Sequence, residues 1–90
     1  MQEPKIIGMQ LRAARAVFSW SVRDLSERTG IGTATIKRYE ASPGVPKSRK
    51  GHISLLKETF EAAGIEFVGT PDDAPGIRIH RPALGGDIAS

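Results

Sequence analysis

At 90 residues, with 39% hydrophobic and 26% charged side chains, the chain has the balance of one small folded domain rather than of two cores or a disordered polymer. It has no cysteine, which excludes a disulfide framework, a thiolate zinc site and a cysteine nucleophile; no apolar run reaches the ~18 to 20 residues of a membrane span, and the N-terminus MQEPKIIGMQLR lacks the apolar stretch of a signal peptide, so a reducing, cytoplasmic setting is expected. The net charge of +3 is unevenly placed: residues 1–64 carry eleven basic and six acidic groups and residues 65–90 two basic and four acidic, so the first part is the candidate anion binder.

Ile7, Leu11, Ala14 and Phe18 recur at helical spacing and predict a first helix from about Ile6 to Phe18. Ser21 and Asp24 have the spacing of a capping box with Asp in place of Glu, so a short second helix starts at Ser21 and stops near Thr29, where Gly30 can take the left-handed conformation. A third helix follows Gly32 as its N-cap and runs through Thr33 to Glu40, with Ile36 and Tyr39 on its inner face. The stretch 42–51 has two prolines, two glycines and three cations and reads as an exposed loop. Ile53, Leu56, Phe60 and Ala63 then mark a fourth helix ending at Gly64.

Beyond Gly64 the period changes. Residues 65–68 and 77–81 read as two short strands around a turn cluster at 69–76, and Pro82 to Ser90 as a flexible tail. The expected class is mainly α: a bundle of four to five short helices over residues 1–64, a C-terminal two-stranded β-hairpin at 65–81, and a tail at 82–90.

Leu25, Ser26, Gly30, Ile31, Ile36 and Tyr39 describe two short helices joined by a tight turn, the spacing of a DNA-binding helix-turn-helix. Over LRAARAVFSWSVRDLSERTGIGTATIKRYE, residues 11–40, the sequence resembles the lambda-repressor-like, or xenobiotic-response-element, helix-turn-helix family of bacterial and phage transcription regulators; the likeness extends to about Gly64. It implies sequence-specific binding of double-stranded DNA, with the third helix in the major groove and Thr33, Ala34, Lys37 and Arg38 as base readers. Arg38 has phosphate as its other target.

The family often places a glutamine just inside the preceding helix, where this sequence has Val22. Phosphate positioning is therefore assigned to the backbone around Ser21 and Val22, to Arg23, and to Lys47, Arg49 and Lys50 of the following loop. The resemblance also implies a structural ion pair between Arg15 and Glu40. Ile65, Phe67, Ile77 and Ile79 form one apolar face of the hairpin, expected to hold a homodimer on paired half-sites; the other reading is that this face covers the fourth helix of its own chain.

Plainer readings stand beside these. Three short amphipathic helices also build bundles that bind nothing, and loop cations are often only solvated. Trp20 is expected as a plug between the first two helices and Met9 at the helix surface. His52 and His80 have no second ligand at metal spacing, Asp72 and Asp73 suit turn chemistry, and no nucleophile elbow, phosphate loop or paired-carboxylate motif is present; neither enzyme activity nor a metal or other cofactor is expected. The rival functional class is an antitoxin or accessory protein that acts by binding another protein.

Overall fold

The computed structural model describes residues 3–80; the tail assigned to 82–90, and residue 81 at the end of the expected hairpin, lie outside them. Four helices, α1 (Gly8–Val17), α2 (Val22–Thr29), α3 (Thr33–Ala41) and α4 (His52–Ala62), precede an antiparallel hairpin of β1 (Ile65–Thr70) and β2 (Asp73–Ile79). Mainly α with a C-terminal hairpin is therefore the observed class. No helix among the described residues is long and apolar enough to cross a membrane.

α1 is shorter than its apolar stripe. Ile7 is its extended N-cap, with its N–H held by Gln10 Oε1 at 3.0 Å, while Ile6 is buried ahead of the helix. At the other end Ser19 adopts φ 56°, and the N–H groups of Ser19 and Trp20 return to the carbonyls of Ala16 and Arg15, closing the helix before Phe18. α2 begins as its sequence predicts: Asp24 N–H donates to Ser21 Oγ at 2.9 Å, and Ser21 N–H to Asp24 Oδ2 at 2.8 Å. These bonds, the backbone one first, hold the Asp24 carboxyl below its usual range. Gly30 ends α2 at φ 79°.

One core joins all elements: Leu11 and Ala14 of α1, Leu25 of α2, Ile36 and Tyr39 of α3, Ile53, Leu56 and Phe60 of α4, and Ile65 of β1. Trp20 is half-buried rather than a plug. Its ring stacks on Phe18 and Phe60 at 4.6 and 5.6 Å, with the Arg28 guanidinium 4.0 Å above it, so it ties the end of α1 to α2 and α4. Met9 is exposed.

The hairpin differs from its sequence reading in two ways. Its strands reach further into the turn cluster: between the Val68–Gly76 and Thr70–Asp73 pairs β2 carries one residue more than β1, and Ala74 at φ 51° opposite Gly69 at φ 77° takes up this bulge, leaving only Pro71 and Asp72 to turn. Pro75 is tolerated because each strand of a two-stranded sheet is an edge. The second difference concerns the apolar face. Ile65 pairs with Ile79 and Phe67 with Ile77, but Ile65 lies in the core and Phe67 and Ile77 pack against it, with only Ile79 exposed. The face covers its own chain through Ile65, Phe67 and Ile77, which is the second of the two readings for those three residues, and leaves Ile79 exposed. On the outer side, Glu66 accepts from His80 Nε2 at 2.8 Å and from Arg78 at 3.2 Å, and its carboxyl is held below the ordinary range chiefly by the His80 bond.

Gln10 fixes the hairpin to the helices. Its buried amide donates to Val68 O at 3.1 Å and Gly76 O at 2.8 Å, carbonyls of two residues paired across the strands, while its oxygen caps α1. Gln10→Ala is expected to cost about 1–2 kcal/mol and to speed amide exchange in residues 65–79 more than in α2 and α3. Equal acceleration throughout would show that the hairpin has no separate attachment.

Candidate nucleic-acid interface

α3 is divided lengthwise. Ile36, Tyr39 and Glu40 are buried, whereas Thr33, Ala34, Lys37 and Arg38 are all exposed, and their spacing of i, i+1, i+4 and i+5 makes them one continuous strip. The helix is set by its inner face: Ile36 and Tyr39 enter the core, and the end of α3 rests against α1. Gly8 permits that approach, since a Cβ there would stand 2.6–2.7 Å from the carbonyl oxygens of Tyr39, Glu40 and Ser42. Arg12 donates to the Glu40 carbonyl as well.

The expected Arg15–Glu40 pair is present and bidentate. Arg15 Nε and NH2 donate to the two Glu40 oxygens at 2.8 Å each, and NH1 donates to the Trp20 carbonyl at 2.9 Å. Glu40's side chain retains 6% of its exposure and Arg15's 23%. The hydrogen bonds to Glu40 raise the Arg15 pKa above its ordinary value. The pair thus joins α1, the connection to α2, and α3.

Beside this exposed strip, Arg38 and Lys47 line a shallow cleft of about 300 Å³ together with Ala41, Ser42 and Pro46. Arg38 leans toward this loop, its guanidinium 5.7 Å from the centre of the Tyr39 ring. Lys47, Arg49 and Lys50 are exposed. Residues 33–51 carry five cations and one carboxylate, Glu40, whose charge is taken by Arg15. Lys37, Arg38, Lys47, Arg49 and Lys50 form no ion pair with any described residue.

At the start of α2 the arrangement is less open than expected. Ser21's N–H and hydroxyl are engaged by Asp24, which also puts a negative charge there, so Ser21 offers no free backbone donor to phosphate. The Val22 side chain packs against the core. Arg23 is exposed and only loosely paired with Glu27 at 3.7 Å, a contact too solvated to hold it back.

Several contributors escape a reading of sequence pattern. Glu3 caps α4 from 48 residues away, accepting from Gly51 N–H at 2.6 Å and from Ser54 Oγ at 2.8 Å and supplying the side-chain cap that Gly51 lacks. This helix start is therefore occupied by the protein's own anion. Tyr39 reads as a core residue by its spacing, yet its hydroxyl lies 2.7 Å from His52 Nδ1 and accepts from Arg49 N–H at 3.2 Å. The signal available was that a buried phenol needs a polar partner.

A second cleft, about 540 Å³ and lined by Phe18, Trp20, Arg28, Thr59, Ala62 and Ala63, holds one charged group, already stacked on Trp20. Among the described residues no three His, Cys, Asp or Glu side chains converge as a metal site would require. Comparisons with protein-family models, curated proteins and solved structures give no match for this chain.

Proposed function

We propose that the chain is a sequence-specific DNA-binding module of the lambda-repressor-like helix-turn-helix class, acting on transcription in the bacterial cytoplasm with no catalytic chemistry of its own. One observation carries this reading: α3 presents Thr33, Ala34, Lys37 and Arg38 as one exposed strip, continuous with a loop whose cations have no carboxylate partner among the described residues. A DNA major groove is about as wide as a helix with its side chains, and its walls are phosphates. Thr33 and Lys37 then meet base edges, Ala34 a thymine methyl, and Lys47, Arg49 and Lys50 the flanking backbone. Arg38, which lines a cleft with Lys47, sits between base and phosphate.

A single α3 spans only a few base pairs. The proposal therefore includes two copies on half-sites about one helical turn apart. Since Ile65, Phe67 and Ile77 are used within the chain, their contact falls elsewhere, with exposed Ile79 and the strand edges as its remaining candidates in the hairpin.

Selection from a random duplex library with the purified full chain tests both points. The expected result is a preferred sequence repeated as two inverted half-sites; recovery of unselected sequence would overturn the proposal. On the selected site Lys37→Ala is expected to cost about 1–3 kcal/mol and relax one base position in each half-site. Lys47→Ala and Arg49→Ala should weaken specific and random duplexes equally, each lowering the salt slope by about one unit. An unchanged base preference removes Lys37 from the readers, and an unchanged slope leaves Lys47 and Arg49 as solvated loop.

A further inference from the structure

We infer that the Tyr39 hydroxyl, backed by His52, is the positioning group of the phosphate-binding loop. The inference deepens the DNA-binding reading and rests on it.

Tyr39 belongs to the reader helix by sequence and is fully buried, yet it touches both halves of the interface. Its ring lies beneath the Arg38 guanidinium at 5.7 Å, and its hydroxyl accepts the Arg49 backbone N–H at 3.2 Å. Arg49 sits in the middle of the cationic run, with Lys47 two residues before it and Lys50 next in the chain. Holding one backbone N–H inward makes the Lys47, Arg49 and Lys50 side chains, all exposed, leave the loop from a fixed base.

The hydroxyl cannot do this alone. A phenol that accepts from Arg49 still has a proton to place, and the group within reach is His52 Nδ1 at 2.7 Å. Tyr39 therefore donates to His52 Nδ1, an assignment that follows from the tautomer carrying its proton on Nε2. His52 is the first residue of α4, so the same bond fixes where the loop re-enters the bundle. The chain from Arg49 N–H to Tyr39 OH to His52 Nδ1 closes the loop onto the reader helix. The loop is also held by Ser42 Oγ to Gly44 O at 2.9 Å, by the buried Pro46, by His52 N–H to the Arg49 carbonyl at 3.0 Å and by Gly51 N–H to Glu3, but Tyr39 is the side chain that ties Arg49 to α3.

This position differs from a merely structural one in a measurable way. Lost fold stability lowers the active fraction and scales apparent affinity by one factor at every salt concentration. A loop released from its anchor instead forfeits phosphate contacts, and that lowers the slope of log K against log salt by about 0.9 per contact.

The experiment measures binding of full-length protein to the selected site and to a random duplex across a salt series, well below each variant's melting temperature. Tyr39→Phe removes the hydroxyl while keeping the ring; His52→Leu removes the acceptor; His52→Asn returns an acceptor near Nδ1. Tyr39→Phe and His52→Leu are each expected to lower the slope by about one to two units on both duplexes and to leave the base preference unaltered. His52→Asn should restore most of the lost slope. A full parental slope in Tyr39→Phe and His52→Leu would overturn the inference while leaving DNA binding intact; a parent that shows no salt-dependent DNA binding would overturn both.

Discussion

Arg15→Met is expected to remove about 3–5 kcal/mol of stability, a large part of what a domain this size has, while Glu40→Gln costs less. The asymmetry comes from where each charge would be left. Without Arg15, the Glu40 carboxylate, with 6% of its side chain exposed, loses both hydrogen bonds to its oxygens at the end of α3, and little water reaches it. Without the Glu40 charge, Arg15 still donates to the Trp20 carbonyl and reaches solvent through its 23% exposure. Methionine preserves the packing of the arginine stem, so the comparison isolates the charge.

Urea unfolding of both variants, supported by melting temperatures, provides the measurement; at about 4–8 °C per kcal/mol, Arg15→Met should melt at least about 12 °C below the parent. Losses below about 1 kcal/mol in both variants would place the pair in solvent-like surroundings. The reverse order, with Glu40→Gln the more damaging, would mean that the arginine is the more deeply held partner.

The same pair shows what kind of information the sequence carried. Arg15 and Glu40 were legible only through a resemblance, because a contact between residues 25 apart has no local signature. Ser21 with Asp24, Gly30 and the apolar stripes were legible directly, since each satisfies a helix end or face with residues three or four positions away. The exposed strip of Thr33, Ala34, Lys37 and Arg38 follows from the same periodicity once Ile36 and Tyr39 face inward.

What periodicity could not supply were bonds made by polar groups at long range. Glu3 on α4, Gln10 on the strand carbonyls and the Tyr39 hydroxyl on His52 all act through single atoms. The hairpin illustrates a second limit. Alternation placed Ile65, Phe67, Ile77 and Ile79 on one face, and the register confirms it, but alternation is silent on whether that face meets its own helices or another chain. Composition misled at 69–76, where glycine and proline accommodate a bulge and an edge strand rather than a long loop.

Gly8→Ala is expected to destabilise the domain by about 3 kcal/mol, although helix propensity alone favours alanine over glycine by about 1 kcal/mol. Gly8 is the first residue of α1, and its absent side chain lets the helix start approach the end of α3 backbone to backbone. A Cβ would stand 2.6 Å from Glu40 O and 2.7 Å from both Ser42 O and Tyr39 O. No flexible side chain is available to yield, so α1 must tilt away from α3. That movement strains the Arg12 bond to the Glu40 carbonyl and the bidentate Arg15–Glu40 pair, and it shifts the helix that carries Thr33, Ala34, Lys37 and Arg38. Denaturant unfolding should show a lower midpoint with an unchanged m-value, as expected for a native state that is strained rather than partly unfolded. On the proposed DNA-binding function, affinity for the selected duplex should fall further than the unfolded fraction explains, because the exposed strip of α3 is displaced from the loop cations. A midpoint equal to or above the parent's would show that α1 and α3 part without cost, and would remove Gly8 as the residue that sets α3 in place.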